Sequence, residues 1–290
     1  MQIRKAVLPV AGLGTRILPA SKVIPKEMLP LVDKPTLQYI VEEAVEAGIE
    51  EIIFVISPSK QSIVDHFQPF PELEEVLQRK GKRAELEELR RVQSMASYTS
   101  VFQMQPLGLG HAVLCARELV GDEPFIVMLG DDLVDPQTPV LPQMMEVFEQ
   151  YGGSVLSLFQ AQPEEISALG IAAVEELGNE VVKITHLVEK PAPEEAPSNL
   201  AVAGRYILTP DLFSLLEKTP PGRGNEIQIT DAIEMQARAG RCYGVRFSGI
   251  RYDTGTPLGL LTTAISYGLK RPDIAPALKE FMRQTLSEEA

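Results

Sequence analysis

The chain carries only two cysteines in 290 residues, Cys115 and Cys242. Neither shares a metal-type spacing with the other or with a histidine, so no thiolate metal site or disulfide framework is expected. Both read as small buried apolar residues. A surplus of positive charge is also missing, with 27 Lys and Arg against 40 Asp and Glu, a net charge of −13. Nucleic acid and anionic membrane surfaces require a basic patch, so neither is expected as a partner. No long uncharged apolar stretch is available to span a membrane. The first residues lack the charged, apolar, small-residue succession of a secretory signal, which predicts a cytoplasmic location. No internal repeat or low-complexity linker is found.

What is present is core-forming material. Hydrophobic residues make up 44% of the chain and charged residues 23%, the composition of a globular protein. The length exceeds a usual domain, but α/β folds reach it as one unit. Ala6, Val7, Leu8 and Val10 form an apolar run that empties into Ala11-Gly12-Leu13-Gly14-Thr15. Glycine reaches positive φ cheaply and has no Cβ to hold an anion away, so backbone N–H groups can converge on a phosphate there. Arg16 and Lys26 add fixed positive charge. The loop is not GxxxxGK[ST], and Ile17 stands where a GxGxxG fingerprint needs its third glycine.

Leu37, Ile40, Val41, Ala44 and Val45 fall at helical spacing before Gly48, and residues 52–56 read as a second buried strand. Strand, helix, strand predicts a right-handed parallel crossover, with ligands at the carboxyl ends of the strands, where the Gly12 loop lies. Residues 71–94 are dense in alternating charge and predict an exposed helical excursion broken near Gly81. Phe125-Ile126-Val127-Met128-Leu129 is a continuous apolar run ended by Gly130-Asp131-Asp132. A carboxylate there, on Asp131 or its neighbour Asp132, can hold a hard cation bound to phosphates, the alternative being a turn with a side-chain-to-backbone bond. Tyr252-Asp253-Thr254-Gly255-Thr256 is a second acidic turn. Beyond Gly153 short strand-like runs predict a more β-rich second half, and helical periodicity after Pro272 predicts a terminal helix.

The G-x-G-T-R loop, followed ten residues after Arg16 by the lysine of Pro25-Lys26-Glu27-Met28-Leu29-Pro30, resembles the signature of sugar-1-phosphate nucleotidyltransferases. Residues 25–35, PKEMLPLVDKP, resemble the bacterial UTP–glucose-1-phosphate uridylyltransferases in particular. The likeness runs from Lys5 to about Gly268. It implies an α/β, Rossmann-like three-layer nucleotidyltransferase fold with a central mixed, mostly parallel sheet. It further implies one domain over 1–290, with a nucleotide-binding part over approximately 1–150, a sugar-binding part over 151–268 and a helical tail over 269–290.

The same resemblance implies roles. Ala11, Gly12, Leu13, Gly14 and Thr15 would hold a triphosphate, with Arg16 on the leaving diphosphate and Lys26 near the α-phosphate. The LGLGHAV stretch is similar to a base-recognition loop, with Gln103 and Gly108 on uracil and Gln105 a competing candidate. A glutamine amide can donate and accept at once, which suits an imide edge. His111 is expected to pack or cap rather than catalyse. Gly170, Glu189 and Lys190 of VEKP, and Gly204, would border glucose 1-phosphate. Asp131 and Asp253 would bind Mg²⁺, and residues 224–233, GNEIQITDAI, resemble a supporting helix of the family. Arg16, Lys26, Asp131 and Lys190 form the implied catalytic set.

The implied reaction is UTP + α-D-glucose 1-phosphate ⇌ UDP-glucose + diphosphate, by in-line attack in a homo-oligomeric enzyme. Thymidylyl transfer, or another base or sugar, is the nearest rival. A non-catalytic nucleotide-sugar sensor would lack a cation or a metal carboxylate, and none of Arg16, Lys26, Asp131, Lys190 and Asp253 is missing. A nicotinamide dehydrogenase is disfavoured by Ile17 and by the arginine and lysine that follow the loop.

Overall fold

The computed structural model describes residues 2–288. The first half alternates strands and helices. β1 (Lys5–Pro9) leads through the glycine loop to the short strands β2 (Pro30–Leu31) and β3 (Lys34–Pro35), followed by α1 (Thr36–Glu46) and β4 (Glu51–Ile56). Then come α2 (Gln61–Phe67), α3 (Pro71–Arg79), α4 (Arg83–Ser94) and β5 (Ser97–Phe102). After α5 (Leu109–Cys115) and α6 (Arg117–Val120), β6 (Phe125–Met128) and β7 (Asp132–Val134) reach α7 (Leu141–Tyr151). The second half is richer in strand: β8 (Ser154–Gln160), β9 (Gly170–Gly178), β10 (Val181–Glu189) and β11 (Leu200–Leu208). It closes with α8 (Asp211–Leu216), α9 (Ile229–Arg238), β12 (Cys242–Arg246), β13 (Arg251–Asp253), α10 (Pro257–Lys270) and α11 (Ala275–Glu288).

Nine strands make one sheet in the order β5-β4-β1-β6-β11-β8-β12-β10-β9. β5, β4, β1 and β6 are mutually parallel, and only β10 and β11 run against the rest. The sheet is therefore mixed, its pairings divided between four parallel and five antiparallel, with helices on both faces. Side chains alternate across a strand, so Ala6 and Leu8 of β1, with Ile52, Phe54 and Ile56 of β4, pack into the core under α1, α2 and α7. Val7, Ile53 and Val55 enter the opposite core with residues of α5, α8 and α9. This double burial is why these strands read as unbroken apolar runs.

Two local features place the site. Ala201 of β11 pairs with Phe159 of β8 and also with Ile171 of β9, while Arg205 to Leu208 pair with β6. Beyond an irregularity between Val202 and Tyr206, β9 thus takes up the edge of β11 at which β6 stops. The sheet curls back so that the start of β9 stands next to the end of β6. Separately, β7 and β13 form an antiparallel pair, Asp132 opposite Asp253, which brings the two acidic turns together across the chain.

Two expectations need correction. The segment from Gly224 leaves a short 3-10 turn at Asn225 and is extended until α9 begins at Ile229, because Ile227 N–H donates to Leu107 O (2.8 Å) and its carbonyl accepts from Gly110 N–H (2.9 Å), binding it to the start of α5. Cys115 is only half-buried, although Cys242 is buried and both thiols are free. The terminal helix expected after Pro272 is α11, with α10 ahead of it from Pro257; Glu289 and Ala290 lie outside the described residues. The start of α10 carries an orthodox signal, Thr256 capping Gly259 N–H at 3.1 Å with proline next. Among the described residues no helix is long and apolar enough to cross a membrane.

Candidate active site

The loop after β1 is open to solvent at Gly12 and Leu13, and no atom lies within 4 Å of where a Cβ on Gly12 would stand. Gly14 is left-handed, φ +67, and its carbonyl accepts from Ser21 Oγ at 2.7 Å, which folds Thr15 and Arg16 back over the loop. A Cβ on Gly14 would meet Lys26 Cβ at 3.5 Å, so the loop rests directly on the Lys26 side chain. Lys26 itself opens a short turn, Lys26–Met28.

The carboxylate of Asp131, which follows β6 by three residues, receives both cations. Lys26 Nζ lies 2.5 Å from its Oδ2 and Arg16 Nη2 3.7 Å away. Burial opposes ionisation of Asp131, but Lys26 and then Arg16 outweigh it and hold the carboxyl below the usual range. Thr254 ties the second acidic turn to the first, its N–H and Oγ1 both donating to the Asp131 carbonyl at 2.8 and 3.0 Å. Gly255 then becomes the meeting point. A Cβ there would stand 2.8 Å from Asp131 Oδ2, 2.9 Å from Asp253 Oδ1 and 2.8 Å from Arg16 Nη2. Two carboxylates and a guanidinium that are remote in sequence thus converge around one missing side chain.

Asp132, the neighbour, is committed elsewhere. Its carboxylate accepts from Arg251 Nε at 2.9 and 3.0 Å and from Gly204 N–H at 2.9 Å, deep in the protein. Burial pushes its pKa up despite Arg251 and Arg205. A Cβ on Gly204 would collide with Asp132 Cβ at 2.8 Å, so glycine is what lets β11 approach the Asp131 turn.

A second cluster forms where Gly170 of β9 pairs with Glu189 of β10. Glu189 accepts from Thr230 Oγ1 at 2.7 Å and lies 3.0 Å from Lys190 Nζ. Lys190 has a left-handed backbone, φ 48, and its N–H donates to Leu169 O at 2.9 Å. Glu189 and Asp132 both raise the pKa of the buried Tyr206 after desolvation has done so, linking this cluster electrostatically to the first.

The third cluster lies at the end of β5. Gln103 is buried, its N–H bonded to Ile56 O at 2.8 Å, whereas Gln105 is exposed. Gln103 Nε2 donates to Gly108 O at 3.0 Å and lies 3.0 Å from His111 Nδ1. Gly108 has φ +95, and a Cβ on it would meet Glu226 Cβ at 2.7 Å. Sequence reasoning did not find Gly255, Thr254, Thr230 or the buried Glu27–Lys60 pair behind Lys26. Thr230 and Gly255 lay inside motifs that had been noticed, whereas Lys60, in Pro58-Ser59-Lys60, looks like a surface cation.

A parallel half-sheet emptying into a glycine loop, with cations and carboxylates gathered past β1 and β6, defines an enzyme class built to handle a nucleoside triphosphate. The chain belongs to the nucleotidyl transferase family, whose model matches residues 5–267. It is 46% identical over 288 residues to a UTP–glucose-1-phosphate uridylyltransferase of Bacillus subtilis strain 168, covering 99% of this chain and 97% of that protein. A protein of the same name from Streptococcus pneumoniae serotype 4 is 47% identical, with 98% and 96% covered. Among solved structures, UTP-bound UGPase from Acinetobacter baumannii superposes with a TM-score of 0.90 at 43% identity, covering 97% of this chain and 99% of that one. A UDP-glucose pyrophosphorylase complexed with UDP-glucose gives 0.86 at 44%, covering 93% and 100%.

Proposed function

We infer that the chain is a UTP–glucose-1-phosphate uridylyltransferase, moving the uridylyl group of UTP to α-D-glucose 1-phosphate with release of diphosphate. The observation that carries this reading is the meeting of Arg16, Asp131 and Asp253 at Gly255, with Lys26 on the Asp131 carboxylate, beside the open glycine loop, in a chain that matches such enzymes almost end to end.

The attacking phosphate is already ionised, so no protein base or nucleophile is needed, and the gain comes from alignment and charge neutralisation. The backbone of Ala11 to Thr15 receives the triphosphate. Arg16, the more exposed cation, steadies the leaving diphosphate, and Lys26 neutralises charge around the α-phosphate. Lys190 holds the phosphate of the sugar, releasing Glu189, whose carboxylate accepts from sugar hydroxyls. Gly170 stands beside Glu189 at the edge of the ring, and Gly204 borders it through its backbone, its missing side chain being what admits Asp132.

Asp131 and Asp253 suit a hard divalent cation such as Mg²⁺. Asp131 Oδ2 and Asp253 Oδ1, the latter accepting from Gly255 N–H at 2.8 Å, flank the missing Gly255 side chain, and Mg²⁺ commonly takes only one or two protein carboxylates, leaving its other positions to phosphates and water. When bound, it supplies charge neutralisation and Lewis acidity at the phosphates. We read the chain as one domain with its nucleotide and sugar parts meeting at the β6–β11–β9 edge. Two free thiols support a cytoplasmic setting, and Leu258 and Leu261, exposed on one face of α10, support a homo-oligomer.

The test is diphosphate release with glucose 1-phosphate and Mg²⁺, supplying UTP, dTTP, CTP, ATP and GTP separately. UTP should exceed every other nucleotide. A preference for dTTP would keep the mechanism and overturn the uridylyl assignment, and silence with all five from a folded, UTP-binding protein would make it a sensor.

A further inference from the structure

In the ladder of β7 and β13, Asp132 stands directly opposite Asp253, Leu133 opposite Tyr252 and Val134 opposite Arg251. Side chains alternate along a strand, so Asp132, Asp253 and Arg251 share one face. A guanidinium is thereby placed within reach of two carboxylates. Arg251 takes the diagonal partner, its Nε donating to both oxygens of Asp132 at 2.9 and 3.0 Å. The pair is shielded from water, with 5% of the Asp132 side chain and 18% of the Arg251 side chain exposed. Asp253 is the next carboxylate, after Asp132, whose charge acts on Arg251. Among the described residues Nη1 and Nη2 of Arg251 donate to no acceptor, so the arginine keeps donors to spare.

The choice of Asp132 is built in from outside the ladder. The guanidinium carbon lies 4.7 Å from the centre of the Phe159 ring on β8, a cation–π contact. Asp132 accepts from Gly204 N–H of β11 at 2.9 Å. Asp253 is left with Gly255 N–H, which donates to its Oδ1 at 2.8 Å on the side facing Asp131.

We propose that Asp132 is a positioning residue that occupies Arg251 and so keeps the Asp253 carboxylate available to a divalent cation shared with Asp131. The proposal rests on Asp131 and Asp253 being the cation's carboxylates. Asp132 itself touches neither cation nor substrate. With its charge removed, the cation nearest to Asp253 within the ladder is Arg251, and a guanidinium fork competes with a metal for the same oxygens. Removing Arg251 as well removes the competitor. The second loss should therefore repair the first, which a role in packing or in metal ligation by Asp132 would not produce.

The test titrates Mn²⁺ into the UTP-loaded protein without glucose 1-phosphate and reads bound Mn²⁺ by water-proton relaxation. Asp132→Asn keeps the shape and the acceptor facing Gly204 N–H, and should weaken Mn²⁺ binding about tenfold or more. Arg251→Met should bind Mn²⁺ no more weakly than the parent. The joint Asp132→Asn and Arg251→Met variant should return to the parent affinity. A joint variant as weak as Asp132→Asn, or weaker, overturns the proposal, and so does an unchanged affinity in Asp132→Asn. Should Asp132→Asn fail to fold, the joint variant, which buries neither charge, still decides. Asp253→Asn is the separate check on the carboxylate pair: unaltered Mn²⁺ binding there overturns that reading and not the role of Asp132 alone.

Discussion

Lys60 and Glu27 are joined inside the protein, the ammonium donating to the two carboxylate oxygens at 2.8 and 3.1 Å and to Val10 O at 2.7 Å. Glu27 is the residue after Lys26, and its Cγ lies 3.0 Å from where a Cβ on Gly130 would be. The pair therefore fixes the backbone of Lys26 between the loop after β1 and the turn that presents Asp131. Burial pushes the Glu27 pKa up and the Lys60 pKa down, each opposed by the partner's charge.

Lys60→Met strands the Glu27 carboxylate in an apolar setting and should cost roughly 3–5 kcal/mol in denaturant unfolding. Joint Lys60→Met and Glu27→Leu removes both charges and should recover most of that stability. If the double variant is as unstable as the single one, packing by the lysine stem, and not the charge left behind, accounts for the loss.

Gly255 gives the sharpest test of the carboxylate pair. Gly255→Ala places a methyl group under 3.0 Å from oxygens of both Asp131 and Asp253, and it must push them apart. The Mg²⁺ concentration for half-maximal turnover should rise by about tenfold or more, as when the support of a metal ligand is disturbed, with little change in melting temperature. An unaltered Mg²⁺ titration would show that the two carboxylates do not act together. Lys26→Ala, measured beside it, should lower kcat by about 10²–10³ in a folded protein.

The sequence made the parallel half of the fold legible because β1, β4 and β6 are buried on both faces and have nothing else to be. α1 ended where Gly48, φ +93, allowed it, and the charged excursion broke near Gly81, between α3 and α4. The glycine loop and the acidic turn after β6 were equally visible. What joined Asp131 to Asp253 was not, because it depends on two three-residue strands, β7 and β13, too short to carry a pattern. Lys60 was invisible for another reason, since nothing local marks a cation whose partner is 33 residues away. Gln103 and Gln105 were indistinguishable as letters, and separate only because one continues β5 inward and the other turns out.

Asp135 and Lys270 show how the helix after the second acidic turn is held. Lys270 Nζ is 2.7 Å from Asp135 Oδ2, and Gln137 N–H donates to Asp135 Oδ1 at 3.1 Å. Partial burial would raise the Asp135 pKa, but the bonds from Lys270 and Gln137 prevail and hold it below the usual range. Lys270 is held above its ordinary value, burial being outweighed by Asp135. A depressed carboxyl stabilises fully above its unfolded pKa of about 3.9 and loses that contribution as pH falls through the folded value. A raised ammonium stabilises fully below about 10.4 and loses it as pH rises through its own. Asp135→Asn keeps the oxygen facing Gln137 and removes the charge. It should lower stability by about 1 kcal/mol at pH 7, roughly 2 °C in Tm. The gap between variant and parent should stay constant from pH 6 to 9 and close as the pH drops below about 4. A gap that does not narrow at all as the pH falls below about 4 would assign the loss to geometry at Gln137 and not to the ion pair.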